Sequence, residues 1–184
     1  MSEVFQNIKT RRVNYFYEQD RPLPDESLWQ ILEAARWAPT GNNIRVHRYV
    51  CLTQRKLINQ IKLLSPGFLA SLPSALVIIC VNKVQVKANT FEPDYTNYID
   101  TGTAAQSMLL TAHSLGIASG IVTSFAREAV QIICNMPESW SPEMLILLGY
   151  RVDPPPDAIQ WPKSRVRIQD LVQWGAFPEQ TQGP

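Results

Sequence analysis

Sulfur and imidazole are scarce in this sequence. Three cysteines, Cys51, Cys80 and Cys134, are spread over 184 residues and form no CxxC. That spacing argues against a disulfide scaffold, a zinc finger or an iron–sulfur cluster, and fits reduced thiols in a cytoplasmic chain. Only two histidines are present, His47 and His113, with no HExxH, so a zinc hydrolase is not expected and the pattern suggests no metal site. No apolar run reaches the roughly 18 residues of a membrane span, and Met1 to Thr10 lacks the basic-then-apolar order of a secretory leader. Charge of one sign is also missing. Seventeen Lys and Arg face sixteen Asp and Glu, a net +1, which argues against a nucleic-acid or anionic-membrane partner recruited by bulk positive charge. There is no GxxxxGK[ST] phosphate loop, no GxGxxG and no GxSxG elbow.

What remains is an ordinary globular composition, 45% hydrophobic and 18% charged, long enough to bury a sizeable core. One domain is expected over residues 1–177, with 178–184 as a disordered tail. Val4, Phe5 and Ile8 predict a short amphipathic helix running into Arg11-Arg12. A second helix begins near Pro24-Asp25-Glu26 and is stopped by Pro39. Val46 to Leu52 alternates like a half-buried strand, and Leu57 to Leu64 has helical spacing. Ala75 to Val81 is apolar throughout, as in a strand buried on both faces. Asn82 to Asn97 reads as irregular. Thr101 to Leu115 predicts a buried alanine-rich helix with Gly116 as its C-terminal cap. A strand over Ile117 to Phe125, a helix over Arg127 to Cys134 and a strand over Met144 to Leu148 follow. Beyond Pro154-Pro155-Pro156 a last helix is predicted from Ile168 to Trp174. The order implies an α+β fold, a three-layer α/β/α sandwich with a mixed central sheet.

With few histidines, no metal motif and no obvious nucleophile, a bound organic cofactor is the simplest source of reactivity. Four segments qualify as its contacts, each with a plainer reading beside it. Arg11-Arg12 can grip a phosphate, or form a solvated helix end. Ala38 to Asn43 can present amides to a heterocycle, or be an ordinary turn. The small residues of Asp100 to Ser107 suit a flat ligand, or close packing of core or subunits. Lys163 to Arg167 is a second cationic cluster of phosphate size. His47 and His113 fall where histidines are usually structural, and no catalytic side chain is assigned.

In this order, the segments resemble the nitroreductase family of FMN-dependent oxidoreductases. Ile8 to Phe16 and Arg21 to Pro24 resemble its opening helix and phosphate-binding start. APTGNNIRVHRYV, from Ala38 to Val50, is similar to its APSGxNxQPWxFvv motif. DTGTAAQSMLLTAHSLG, from Asp100 to Gly116, is similar to its long helix, Leu147 to Tyr150 to its LGY strand end, and Lys163-x-Arg165 to its C-terminal basic pair. The resemblance covers residues 5–174. It implies an intertwined homodimer with FMN at the interface and both subunits contributing to each site. Arg11, Arg12, Lys163 and Arg165 would hold the phosphate, with Asn14 as a further polar contact. Pro39, Thr40, Gly41 and Asn43 would line the ring and ribityl chain, and Ile121 to Ser124, Val122 and Thr123 among them, would approach the ring face.

The activity implied is a ping-pong transfer of electrons from NADH or NADPH to a small-molecule acceptor, a nitroaromatic, a quinone or a related compound. Specialised members that oxidise an azoline, dehalogenate a ring or cleave flavin remain open, as does a flavin-binding protein without turnover. Phe91, Tyr95 and Tyr98 would form an aromatic wall over the flavin or pack on the partner subunit. Three departures from the family pattern stand out. Val13-Asn14 follows the arginines where the family has serine; Arg45-Val46-His47 replaces Gln-Pro-Trp; and Asn82 to Ile99 is short.

Overall fold

A computed structural model describes residues 2–89, 93–158 and 166–176, without the side chains of 87–89 and 93–95. Ala75 to Ile79 have no solvent exposure, and this apolar run forms the central strand β2 (Ala75–Asn82). It pairs antiparallel with β1 (His47–Leu52) on one side and with β4 (Trp140–Gly149) on the other. β3 (Ala118–Val122) pairs antiparallel with the outer side of β4, giving the order β1-β2-β4-β3. The parallel component is a single bridge, Val13 to Ser119, where the segment after the first helix runs beside β3.

Alternate residues of the sheet face opposite layers. Val77, Ile79, Ile146 and Leu148 pack against α2 (Asp25–Arg36) and α5 (Pro93–Ser114). Ile78, Cys80, Leu145 and Leu147 pack on the other face, with Ile58 and Ile61 of α3 (Arg55–Leu63) and Val130 of α6 (Arg127–Ile133). This is the expected three-layer sandwich. α2 forms because Leu28, Ile31 and Ala35 fall on one face, while Asp25 and Glu26 in its first turn and Arg36 in its last suit the helix dipole. α1 (Glu3–Thr10) is capped by the Ser2 side chain and buries none of its residues.

Three expectations are corrected. The stretch after β2 is not irregular where it is described: α4 (Lys83–Asn89) follows the strand directly, and α5 starts at Pro93 rather than Thr101. Proline needs no N–H partner in a first helical turn, so here it opens a helix instead of breaking one. β4 extends back to Trp140, past Pro142. β3 covers only Leu145 to Gly149 of β4, and a register shift beside Ile79 and Cys80 accommodates the proline beyond that. Ile168 to Trp174 is not a helix: Ile168–Asp170 is one 3₁₀ turn, closed by Asp170 on the Arg167 N–H and burying nothing.

Met1–Pro154 is one compact unit and Pro155–Pro184 a second. The predicted tail lies outside the described residues.

Candidate functional site

The described site residues fall into two groups within the first unit. One is the turn after α2. Gly41–Asn43 make a 3₁₀ turn in which Asn42 (φ 51°) and Asn43 (φ 56°) are both left-handed, a conformation asparagine tolerates better than most residues. The Gly41 N–H donates to both oxygens of the buried Asp100 carboxyl group, at 3.1 Å each. A Cβ on Gly41 would run into the Thr96 Cγ2 methyl, so a larger residue fits here only if Thr96 shifts. Arg45 Nη1 donates to the Ala38 carbonyl at 3.1 Å and to Thr40 Oγ1 at 2.8 Å. Thr103 Oγ1 donates to the Pro39 carbonyl at 3.1 Å.

Below the turn, Thr101 gives its hydroxyl proton to the Asn97 carbonyl at 2.7 Å, so its oxygen accepts from His47 Nε2–H at 3.0 Å. Burial pushes the His47 pKa below its ordinary value. The Asn97 carbonyl and Asp100 oppose that shift, and Arg45 adds to it. A cleft of about 820 Å³ opens here, and Thr40, Arg45, His47 and Asp100 line it together with Trp29 and Tyr49.

The second group is the segment after α1. Arg12 Nη1 folds back on the Lys9 and Arg11 carbonyls, at 2.7 Å each, and Asn14 Nδ2 donates to the Arg12 carbonyl at 2.9 Å. The Asn14 N–H pairs with the Ser119 carbonyl, and the buried Tyr17 hydroxyl donates to the Asn14 carbonyl at 2.9 Å. Arg11 differs. Its Nη1 is buried and has no hydrogen-bond partner among the described residues. A buried guanidinium nitrogen left unpaired is costly, and an anion is what relieves it. Asn14 and Val122 border a crevice of about 10 Å³, room for a single water. The Val122 side chain is spent in the core, whereas Thr123 is exposed.

Helix α5 holds both groups without joining them. Thr103 binds Pro39 at the middle of the helix; the Leu110 carbonyl accepts from Asn7, and His113 bonds Thr10, near its C-terminal end. Ten residues of helix separate Thr103 from His113, roughly 15 Å of rise. Tyr98, on the same helix, is exposed. Lys163, Arg165 and Phe91 lie outside the described residues, as does the side chain of Tyr95. The sequence reading gave no role to Arg45 or to the Asp100 carboxyl. Arg45 is visible in sequence only as a departure from the family motif, and Asp100 is 59 residues from the N–H it holds.

The sequence profile of the Nitroreductase family matches residues 8–83 and 62–150. The chain belongs to the nitroreductase family. As a member it is an oxidoreductase by fold and lineage. A relative from Methanothermobacter thermautotrophicus, named for an NADH dehydrogenase/NAD(P)H nitroreductase, is 27% identical over 173 residues, covering 91% of this chain and 87% of its own. The crystal structure of a nitroreductase family protein from Clostridium difficile 630 superposes with a TM-score of 0.77 at 26% identity, covering 96% of this chain and all of that one. An FMN-dependent nitroreductase from Clostridium difficile R20291 shares the fold at 20% identity, with a TM-score of 0.76 over 94% of this chain and 99% of that one.

Proposed function

We propose that this nitroreductase-family protein is an FMN-dependent oxidoreductase. It draws electrons from NADH or NADPH and passes them to a nitroaromatic, quinone or related small acceptor in a ping-pong sequence. The observation that carries this reading is the unpaired, buried Nη1 of Arg11. A flavin phosphate answers that donor, with Asn14 close by in the chain and Lys163 and Arg165 as further cations. Arg12 contributes less than its neighbour, because its Nη1 is already engaged by two carbonyls. Pro39, Thr40, Gly41 and Asn43 take the ring and ribityl chain, and Thr123 with the Val122 backbone lies at the ring face. Phe91, Tyr95 and Tyr98 border the acceptor. The FMN-dependent relative and the NAD(P)H named for others support the cofactor and the donor.

Bound FMN would supply the two-electron carrier that no side chain here provides. The chain's own part is to bind, orient and shield it. Burial disfavours the charged form of His47, which is tied to Thr101, and His113 is tied to Thr10, so neither is assigned a proton-transfer role.

A homodimer belongs to the same reading. Within one chain the contacts that α5 makes to the two groups lie roughly 15 Å apart along the helix axis; in a two-chain site the turn of one chain would meet the arginines of the other. α1 also leaves Val4, Phe5 and Ile8 exposed, with Val13 and Ile121 exposed as well, an apolar surface suited to a partner. A cytoplasmic setting accords with Cys51, Cys80 and Cys134 all being free thiols. Among the described residues no helix is long and apolar enough to cross a membrane.

The test is the visible spectrum of the purified protein, followed by anaerobic titration with NADH and then NADPH. A yellow protein bleached by either nucleotide supports the reading and names the donor. A protein that stays colourless after FMN is added overturns it. Sedimentation equilibrium should give twice the chain mass; a monomer that still binds FMN would remove the two-chain site.

A further inference from the structure

The turn that carries Asn42 and Asn43 is held from two sides by groups outside it. Arg45 Nη1 clamps the approach to the turn, taking the Ala38 carbonyl and Thr40 Oγ1 together. Asp100, from α5, clamps its first residue by accepting the Gly41 N–H on both oxygens. Asp100 is buried and makes no ion pair among the described residues; both of its carboxyl oxygens accept from this turn, and its charge also acts on nearby His47.

The turn is closely held. Two successive left-handed residues are sparsely populated even for asparagine, and the Thr96 methyl occupies the space that a Cβ on Gly41 would need. The held turn exposes the amide side chains of Asn42 and Asn43, and neither makes a hydrogen bond among the described residues. Each amide has a carbonyl acceptor and two N–H donors to offer. A rigid turn bearing unspent amides is preorganised for the polar edge of a flat heterocycle, because little ordering is left to do on binding.

Resting on the flavin reading above, we propose that Arg45 and Asp100 are positioning residues. They preset the Thr40–Asn43 turn so that its amides meet the bound flavin, and they act through the turn rather than by touching the ring. The Arg45-Val46-His47 sequence, where the family pattern has Gln-Pro-Trp, is then a change in how the turn is braced.

The variants Arg45→Met, Asp100→Ala and Asp100→Asn test this. In apo-protein, Gly41 amide exchange should be slow in wild type, clearly faster in Asp100→Ala and close to wild type in Asp100→Asn, which keeps an oxygen for the N–H. Arg45→Met and Asp100→Ala should each bind FMN about tenfold more weakly, the scale of one or two side chains that must be ordered anew. The long-wavelength flavin band of the reconstituted variants should lose fine structure, a change that simple destabilisation would not cause. Asp100→Asn should restore both affinity and band shape.

If Asp100→Ala does not fold, Arg45→Met decides, since Arg45 is exposed. Variants that are folded, bind FMN as wild type does and keep its band shape overturn the positioning role and leave the flavin reading standing. Wild-type protein that takes up no FMN overturns the flavin reading, and this inference with it.

Discussion

The two halves of the candidate site are built on opposite principles. The Thr40–Asn43 turn is satisfied within its own chain: Arg45, Asp100 and Thr103 each hold part of its backbone approach. The segment after α1 holds the one buried side-chain polar atom that has no hydrogen-bond partner among the described residues, Arg11 Nη1. One half is a finished shape waiting for something to fit; the other is an unmet charge. Affinity for an anionic ligand should therefore come mainly from the arginine half and orientation mainly from the turn. Residues that look alike on paper divide along the same line. Arg11 and Arg12 are neighbours, yet Arg12 Nη1 is engaged with backbone carbonyls while Arg11 Nη1 has no partner among the described residues.

The sharpest test of that contrast is Arg11→Met. It should weaken FMN binding by roughly 2 kcal/mol, the scale of a charge-assisted hydrogen bond, while raising the melting temperature of the apo-protein because a buried unpaired donor is gone. Affinity from FMN titration and apo melting should thus move in opposite senses. If both fall, Arg11 is a fold contact and the contrast collapses.

Gly41→Ala attacks the finished half. Overpacking against Thr96 should cost roughly 1–3 kcal/mol in denaturant unfolding. Pairing it with Thr96→Ser, which removes the Cγ2 in the way, should recover most of the loss; no recovery would mean that the turn, and not the contact, is intolerant.

A smaller effect is expected for Tyr17→Phe. It leaves the Asn14 carbonyl without its donor and should lower stability by about 1 kcal/mol, measured as a shift in denaturant midpoint.

The smallest effect is a pH dependence. Burial holds His47 below its ordinary pKa of 6.5, against the pull of Asn97 and Asp100. Folding therefore favours the neutral ring. That contribution to stability is fully present above pH 6.5 and is lost as pH falls through the lower, folded value. His47→Gln should flatten this acidic limb of the stability profile and leave the neutral region alone.

Much of the scaffold could be read from residue pattern. Ala75 to Val81 declares a buried strand because every residue is apolar, and Gly116 caps α5 with φ 71°. Where the reading failed, local and tertiary signals had been confused. The polar stretch after β2 looked irregular, yet Pro93 starts a helix that runs unbroken to Ser114. Ile168 to Trp174 has helical spacing, yet only Ile168–Asp170 turns, and Ile168, Leu171 and Trp174 are exposed. In the site, residue types marked the arginine pair and the turn. The braces could not be read that way, since an aspartate and a glycine N–H that meet across 59 residues leave no joint trace in either segment.

Helix α5 touches both halves, and its residues act as a gauge. Each residue added to an α-helix advances the chain about 1.5 Å and rotates it about 100°. One insertion or deletion between Ala104 and Leu109 would leave Asp100 and Thr103 on the turn but swing Leu110 and His113 away from Asn7 and Thr10. Descendants of this protein can therefore change the exposed Gln106 or lengthen the connections around the helix, but its residue count between Thr103 and Leu110 is under a geometric lock.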